Sequence, residues 1–268
     1  MSTGVLFIGH GTRLPEGIAQ CHAFTRAVRH QLRNDDLVCE DAFLELQWPD
    51  IPTAIRHLVE QETLEILAVP IFLFEAGHLR VDIPACLASS EIRVPHAVRL
   101  LPALGADAGV LPVVRANLDI VGWTGGPQQA IAWIGRGNRD EVAQRTFDSL
   151  VGSFCTAHPN SLVTTGYLAG TGRTLENALD DAVGAGAHVI HVLPYLLFDG
   201  WLTTTQLPNR IRAWQGTHPH VDVQVAPPLG RHPTLIQLFA RRVQQALDAG
   251  RDPMEDAVSS GSFGDPAH

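Results

Sequence analysis

Three polar side chains lie far apart in the chain, and each follows an apolar segment typical of a buried strand. His10 follows residues 5–8, Glu45 ends the strand-like run 41–46, and His78 follows the loop after the long apolar run 64–74. Two imidazoles and one carboxylate can hold a borderline divalent cation such as Co²⁺, Ni²⁺, Zn²⁺ or Fe²⁺. Ordinary histidine titrates at about 6.5, so His10 could also accept a proton near neutral pH.

The motif around His10 occurs twice. Residues 7–13 read FIGHGTR and residues 133–139 read WIGRGNR, and further matches at nearly the same spacing extend through both halves. In the second copy Arg136 replaces His10, Ala169 replaces Glu45, and Leu202 (or Trp201, with one gap) replaces His78. Loss of all three polar groups together is expected if they serve one site. The chain is therefore predicted to be a duplicated domain with one reactive half.

The elements that must position these residues alternate between strand and helix. In each half, short apolar runs typical of buried strands alternate with segments whose apolar residues recur at three or four positions. This order predicts an α/β fold with a parallel sheet flanked by helices in each half. We predict a metal-carrying lobe at residues 1–121, a degenerate lobe at 129–250 and a mobile tail at 251–268. Ligands bind beyond the carboxyl ends of parallel strands, so the three polar residues should meet in one crevice.

The composition excludes several classes of function. The chain has 268 residues, a net charge of −9 and 19 cationic side chains, all arginine. The negative charge argues against a nucleic-acid partner, and the absence of lysine excludes Schiff-base chemistry and a P-loop. No apolar run is long enough to predict a membrane span, and the N-terminus does not resemble a signal peptide. The four cysteines form no CxxC pair, which indicates reduced thiols and a cytoplasmic protein.

Several stretches resemble the class II tetrapyrrole chelatases, and specifically the sirohydrochlorin chelatase family. They are LFIGHGTRLPEG at 6–17, FLEL at 43–46, VPIFLFEAGHLRVDIP at 69–84 and PPLGRHP at 227–233. The resemblance covers about residues 4–250. It implies two similar lobes that face each other across a cleft and insert a divalent metal into an octacarboxylate macrocycle. The metal is a substrate, Co²⁺ or Fe²⁺ with Ni²⁺ as a further candidate, and no organic cofactor is expected.

The resemblance also assigns roles to individual residues. His10 matches the proton acceptor and a metal ligand, His78 the second metal ligand, and Glu45 the acidic residue of the site. The loop from Leu73 to Gly77 should lie against the substrate; its members are Leu73, Phe74, Glu75, Ala76 and Gly77. A buried Glu45 would favour the cationic forms of the two histidines in the absence of metal.

The substrate-binding wall should be cationic and partly apolar. Eight carboxylates on the macrocycle favour bidentate arginine partners, and the candidates are Arg13, Arg80, Arg136 and Arg139. Phe74, Trp201 or both should contact the faces of the macrocycle.

Two other functions fit the same residues. A non-catalytic carrier or sensor would bind the metal or the tetrapyrrole without turnover. A nickel-inserting chelatase would act on a related isobacteriochlorin, although the duplicated form of the chain argues mildly against it. An internal duplication resembles a covalently linked dimer, so a monomer is expected.

Overall fold

The first half of the chain forms a four-stranded parallel sheet. The computed structural model describes residues 3–34, 37–75, 77–88 and 98–250. The strands are β1 (Thr3–Gly9), β2 (Cys39–Phe43), β3 (Glu65–Pro70) and β4 (Val98–Leu100), in the order β2-β1-β3-β4. The central strands β1 and β3 are almost wholly buried because helices cover both faces of the sheet.

The described part of the first half contains the α-helices α1 (Pro15–Arg29), α2 (Ile51–Glu60), α3 (Ile83–Ala88) and α4 (Leu111–Ile120). A π-helix, His78–Asp82, runs directly into α3, and a 3₁₀ turn, Ala108–Val110, precedes α4. Asp50 caps α2 by accepting a hydrogen bond from the backbone N–H of Thr53 at 2.9 Å.

The second half repeats this arrangement. Its strands β5 (Gln129–Gly135), β6 (Leu162–Tyr167), β7 (Val189–Tyr195) and β8 (Asp222–Val225) are parallel and ordered β6-β5-β7-β8. Its helices are α5 (Glu141–Ala157), α6 (Leu175–Gly184), α7 (Leu207–Gln215) and α8 (Pro233–Ala249). A second π-helix, Leu202–Gln206, precedes α7. Leu202 and His78 are the first residues of equivalent π-helices, so Leu202 rather than Trp201 is the counterpart of His78.

The two halves share one hydrophobic core, because each exchanges its last helix with the other. Helix α4 packs against β7 of the second sheet, and α8 packs against β3 of the first sheet and against α1. Phe24 of α1 contacts Phe239 of α8 with 5.1 Å between ring centroids. Arg242 of α8 donates to the carbonyl of Ala103 at 2.8 Å, and Asn117 of α4 donates to that of Pro227 at 2.8 Å. Two further clusters of buried side chains cover the outer faces of the sheets.

The structure confirms the predicted fold class of two parallel sheets flanked by helices and corrects its details. The predicted strands 41–46 and 64–74 extend too far towards the C-terminus, since apolar loop residues continue beyond each strand end. Helices α3, α5 and α7 and strands β6 and β8 were not predicted. The predicted lobe boundaries stay a prediction, and the tail 251–268 lies outside the described residues. No helix in the described ranges has the length and hydrophobicity to span a bilayer.

Candidate functional site

His10 and Glu45 lie side by side at the carboxyl ends of β1 and β2. The backbone N–H of Leu44 donates to the carbonyl of Gly9 at 2.9 Å, and that of Glu45 donates to the carbonyl of His10 at 3.1 Å. These bonds extend the parallel pairing beyond the strands and bring Glu45 Oε1 to 3.4 Å from His10 Nδ1. The sequence prediction that these two residues meet in one crevice therefore agrees with their observed positions.

Glu45 is more exposed than a buried carboxylate would be. Its side chain is 49% exposed, whereas that of His10 is 32% exposed. The next residue, Leu46, adopts a left-handed conformation with φ of 66°, and the chain turns away from the sheet there. Water therefore screens Glu45, and the condition of a buried carboxylate next to the histidines does not hold.

The glycines around His10 serve the fold. Gly11 has φ of 94°, and a Cβ atom there would lie 1.8 Å from the carbonyl oxygen of Glu45. A Cβ atom on Gly9 would lie 3.1 Å from Cys21 Sγ and from the ring of Phe43. Their lack of a side chain lets the His10 loop pack closely against neighbouring protein atoms.

His78 begins the π-helix at the end of the loop that follows β3. Leu79 and Ile83 anchor this segment, since both are buried in the outer core of the first half. The side chain of His78 and the whole of Ala76 lie outside the described part of the structure. The contact of His78 with a metal therefore stays a prediction.

The second half has the same backbone and lacks the chemistry. The N–H of Ala169 donates to the carbonyl of Arg136 at 2.9 Å, as Glu45 does to His10. Gly137 has φ of 94°, and a Cβ there would lie 1.6 Å from the carbonyl oxygen of Ala169. The loops after β1 and β5 thus begin with the same backbone conformation, and only their side chains differ.

A cavity of about 770 Å³ lies between the carboxyl ends of the two sheets. The first half contributes His10 and Thr12, and the second half contributes Arg136, Asn138 and Gln144. Of the predicted substrate loop, Leu73, Phe74 and Gly77 line the cavity, together with Phe72, Tyr167 and Trp201. Trp201 is 60% exposed, so its ring is available to a ligand. The volume lies in the usual range for a small-molecule or cofactor site.

The predicted arginines have different environments. Arg136 is exposed and lines the cavity. Arg13 and Arg139 are exposed on the same two loops, outside the cavity lining. Arg80 forms an ion pair with Asp140, the residue that caps α5 in the opposite half. Glu75 is exposed and also lies outside the cavity lining.

Sequence reasoning missed several polar residues of the cavity wall. Gln144 belongs to α5, which was not predicted, and Asn138 belongs to the second copy of the motif, where the prediction named only the arginines Arg136 and Arg139. Asp199 lines the cavity and receives a hydrogen bond from Gln20 of the first half at 2.8 Å. Asp199 is the counterpart of Glu75 in the repeat, and this correspondence was the signal that could have drawn attention to it.

Cys21 also lines the cavity and is not available as a thiolate ligand. Burial, with a smaller effect of the Asp41 carboxylate, raises the pKa of its thiol to about 12. The thiol therefore stays protonated near neutral pH, and the candidate metal ligands of the site are imidazole and carboxylate groups.

Comparison with known proteins agrees with this geometry. The CbiX family profile matches residues 4–120 and again residues 130–246, one match for each half. The chain is 26% identical over 248 residues to the sirohydrochlorin cobaltochelatase of Priestia megaterium, with 91% of this chain and 80% of the relative covered. It is 25% identical over 270 residues to the sirohydrochlorin ferrochelatase of Bacillus subtilis (strain 168), with both chains covered in full.

A solved structure has the same arrangement of lobes. SirB from Bacillus subtilis with Fe³⁺ superposes with a TM-score of 0.79 at 25% identity, and the match covers 94% of this chain and 98% of SirB. Two family matches, full-length relatives and a shared architecture confirm the resemblance that the sequence motifs indicated. The chain belongs to the CbiX family.

Proposed function

We propose that this protein is a sirohydrochlorin chelatase that inserts Co²⁺ or Fe²⁺ into the macrocycle. The observation that carries the proposal is the His10–Glu45 pair, of which His10 lines a cavity that both halves form. The second half keeps the backbone of this pair without its side chains, so the cavity has one reactive wall. The full-length relatives act on the same macrocycle with cobalt or iron, which supports both metals as substrates.

The geometry suggests how His10 is oriented. Its Nδ1 lies 3.3 Å from the carbonyl oxygen of Gly11 and 3.4 Å from Glu45 Oε1. A proton on Nδ1 would be attracted to both oxygens, which favours the tautomer that has its lone pair on Nε2. We therefore assign Nε2 as the metal-binding atom, with His78 as the second ligand. Glu45 acts beside His10, as its partner or as a third ligand.

Insertion requires that the metal lose water and that two pyrrole nitrogens lose protons. An imidazole can replace a water on the metal before transfer. As the metal passes to the ring nitrogens, Nε2 of His10 becomes available to accept one pyrrole proton. The exposed Glu45 carboxylate can take the second proton and pass it to solvent. The apolar side chains of Phe74 and Trp201 contact the macrocycle faces, and Arg136 binds a peripheral carboxylate, with Arg13 and Arg139 at the rim.

The deciding experiment is the anaerobic metallation of sirohydrochlorin, followed by its change in visible absorbance. Co²⁺, Fe²⁺ and Ni²⁺ are supplied separately, with the protein at substoichiometric concentration and a protein-free control for each metal. Many turnovers per chain support a chelatase, and the fastest metal identifies the preferred substrate. An absorbance change that stops at one macrocycle per chain would instead identify a carrier or sensor. We further propose that Ni²⁺ is a candidate substrate beside Co²⁺ and Fe²⁺. The protein is also proposed to be a monomer and to be located in the cytoplasm.

A further inference from the structure

The two π-helices are fastened in different ways. In the second half, Gln206 donates to the carbonyl of Leu168 at 2.9 Å, and Arg210 donates to the same carbonyl at 2.8 Å. Glu176 of α6 holds the Arg210 guanidinium, with 2.7 Å between Arg210 Nε and Glu176 Oε1. The C-terminal end of the π-helix Leu202–Gln206 is thus tied to its own half by a polar network, whereas Asp199, just before the π-helix, is hydrogen-bonded to Gln20 of the first half.

The first half cannot build this network. Asp82, Cys86 and Pro52 occupy the positions of Gln206, Arg210 and Glu176. None of these three side chains carries an amide or guanidinium N–H donor that could reach a backbone carbonyl in the same way. The π-helix that begins at His78 is therefore not held by the network that holds its counterpart.

Arg80 provides an attachment to the opposite half. It lies in the middle of the π-helix His78–Asp82 and pairs with Asp140 Oδ2. The other oxygen of Asp140, Oδ1, caps α5 and accepts from the N–H of Val142 at 2.9 Å. The Asp140 side chain is 19% exposed and that of Arg80 is 42% exposed, so water screens the pair from the arginine side and the ion pair is a modest one.

The Arg80–Asp140 pair has no counterpart at the equivalent positions of the repeat. Thr204 stands at the position of Arg80, and its hydroxyl donates to the carbonyl of Gly200 at 2.9 Å. Leu14 stands at the position of Asp140, and its side chain makes no cap. The link therefore occurs on the side that carries the metal ligands. It ends on α5, which contributes Ala143, Gln144 and Phe147 to the cavity wall.

We propose that Arg80 and Asp140 are positioning residues that set the His78 π-helix at its working distance from the opposite cavity wall. The inference rests on the proposed chelatase function and deepens it. Small displacements of a reacting group cost large factors in rate, so a modest ion pair can matter at this point. Arg80 is thereby assigned to the protein's own Asp140 and not to a carboxylate of the macrocycle.

The test compares Arg80→Gln, Asp140→Asn and the double variant with the wild-type chain. Asp140→Asn removes the charge and keeps a good cap for α5, so the fold should be retained. Each single variant should raise the Kd for Co²⁺, measured without macrocycle, and lower kcat by about five- to tenfold. The KM for sirohydrochlorin should stay within twofold, and Arg80→Lys should recover most of the loss. The double variant should be no worse than either single variant, because one interaction is lost in all three.

Arg145→Gln is the matched control, because Arg145 forms an exposed pair with Glu141 on the same helix, outside the cavity lining. It should behave as wild type. If Arg80 instead anchors the substrate, Arg80→Gln raises the KM for sirohydrochlorin while Asp140→Asn lowers it, and the proposal is overturned. Single variants that match Arg145→Gln would also overturn it. A wild-type chain without turnover would contradict the chelatase function, whereas the Co²⁺ affinities would still test the positioning role.

Discussion

The ends of β1 and β5 have the same backbone and different chemistry. Gly11 and Gly137 both have φ of 94°, and each packs against the carbonyl of the loop after the neighbouring strand. In each half, the backbone N–H of that loop donates to the carbonyl of the residue before the glycine. His10 and Glu45 occupy this frame in the first half, and Arg136 and Ala169 occupy it in the second. The comparison teaches that the frame is a structural requirement of the fold, and that the proposed reactive side chains stand on only one copy of it.

The largest effect should come from the reactive copy. His10→Ala should lower the rate of cobalt insertion at least about 100-fold, because it removes the proposed metal ligand and the proposed proton acceptor together. The Kd for sirohydrochlorin should change little, since His10 contributes little of the contact area. Stopped-flow absorbance measures the rate, and fluorescence quenching measures the affinity. A rate within a few-fold of wild type would contradict the role of His10.

Substitution of the two equivalent glycines should distinguish an effect on stability from an effect on metal binding. Gly11→Ala and Gly137→Ala should each lower the free energy of unfolding by about 2–4 kcal/mol, since each adds a Cβ atom to a left-handed residue in contact with a carbonyl. Only Gly11→Ala should also impair Co²⁺ binding, because it displaces Glu45. Urea denaturation and metal titration measure the two effects.

Gly152→Ala is the control for these variants. Gly152 lies on the exposed face of α5 with no atom near its missing Cβ, so alanine should stabilise the helix by about 0.5–1 kcal/mol. Equal stability of Gly11→Ala and wild type would show that the loop can move and that the frame is not required.

The arginine of the second copy should act on substrate affinity. Arg136→Gln should raise the KM for sirohydrochlorin by about three- to tenfold, with kcat within twofold, because it removes one charged contact with a peripheral carboxylate. The difference from wild type should shrink at high salt. Arg212→Gln on α7, outside the cavity lining, is the control. A lower kcat with unchanged KM would place Arg136 in the reaction instead.

The smallest effect concerns the network that fastens the second π-helix. Hydrogen bonds from Arg210 lower the pKa of Glu176 from its ordinary 4.5 to about 2. A lowered pKa stabilises the folded state above pH 4.5, and this contribution is lost as the pH falls towards 2. Glu176→Gln should therefore cost about 1 kcal/mol or less at pH 7, since the partly exposed pair is screened by solvent. Urea titrations at several pH values should show the difference from wild type vanish near pH 2, and insertion at pH 7 should be unchanged. A difference independent of pH would contradict the electrostatic origin.

The sequence alone determined the duplication, the parallel α/β class and the place of the chemistry. Buried strands that end in glycine carry a strong local signal, and two copies of one motif show directly which side chains were exchanged. His10 and Glu45 were found in this way, because residues at the carboxyl ends of neighbouring parallel strands must meet. The ends of the strands were predicted less well, since the apolar loop residues that line the cavity look like a continuation of each strand. Helix α5 was not predicted, although its apolar residues recur at helical spacing.

Only the tertiary structure decided how the two halves meet. The exchange of α4 and α8, the exposure of Glu45 and the Arg80–Asp140 pair depend on contacts between residues far apart in the chain. An apolar helix stripe indicates that a face is buried and does not indicate which sheet covers it. An arginine near a predicted site is equally suited to a substrate carboxylate and to an aspartate of its own chain. The choice between them depends on distances in the folded protein, which local sequence patterns do not encode.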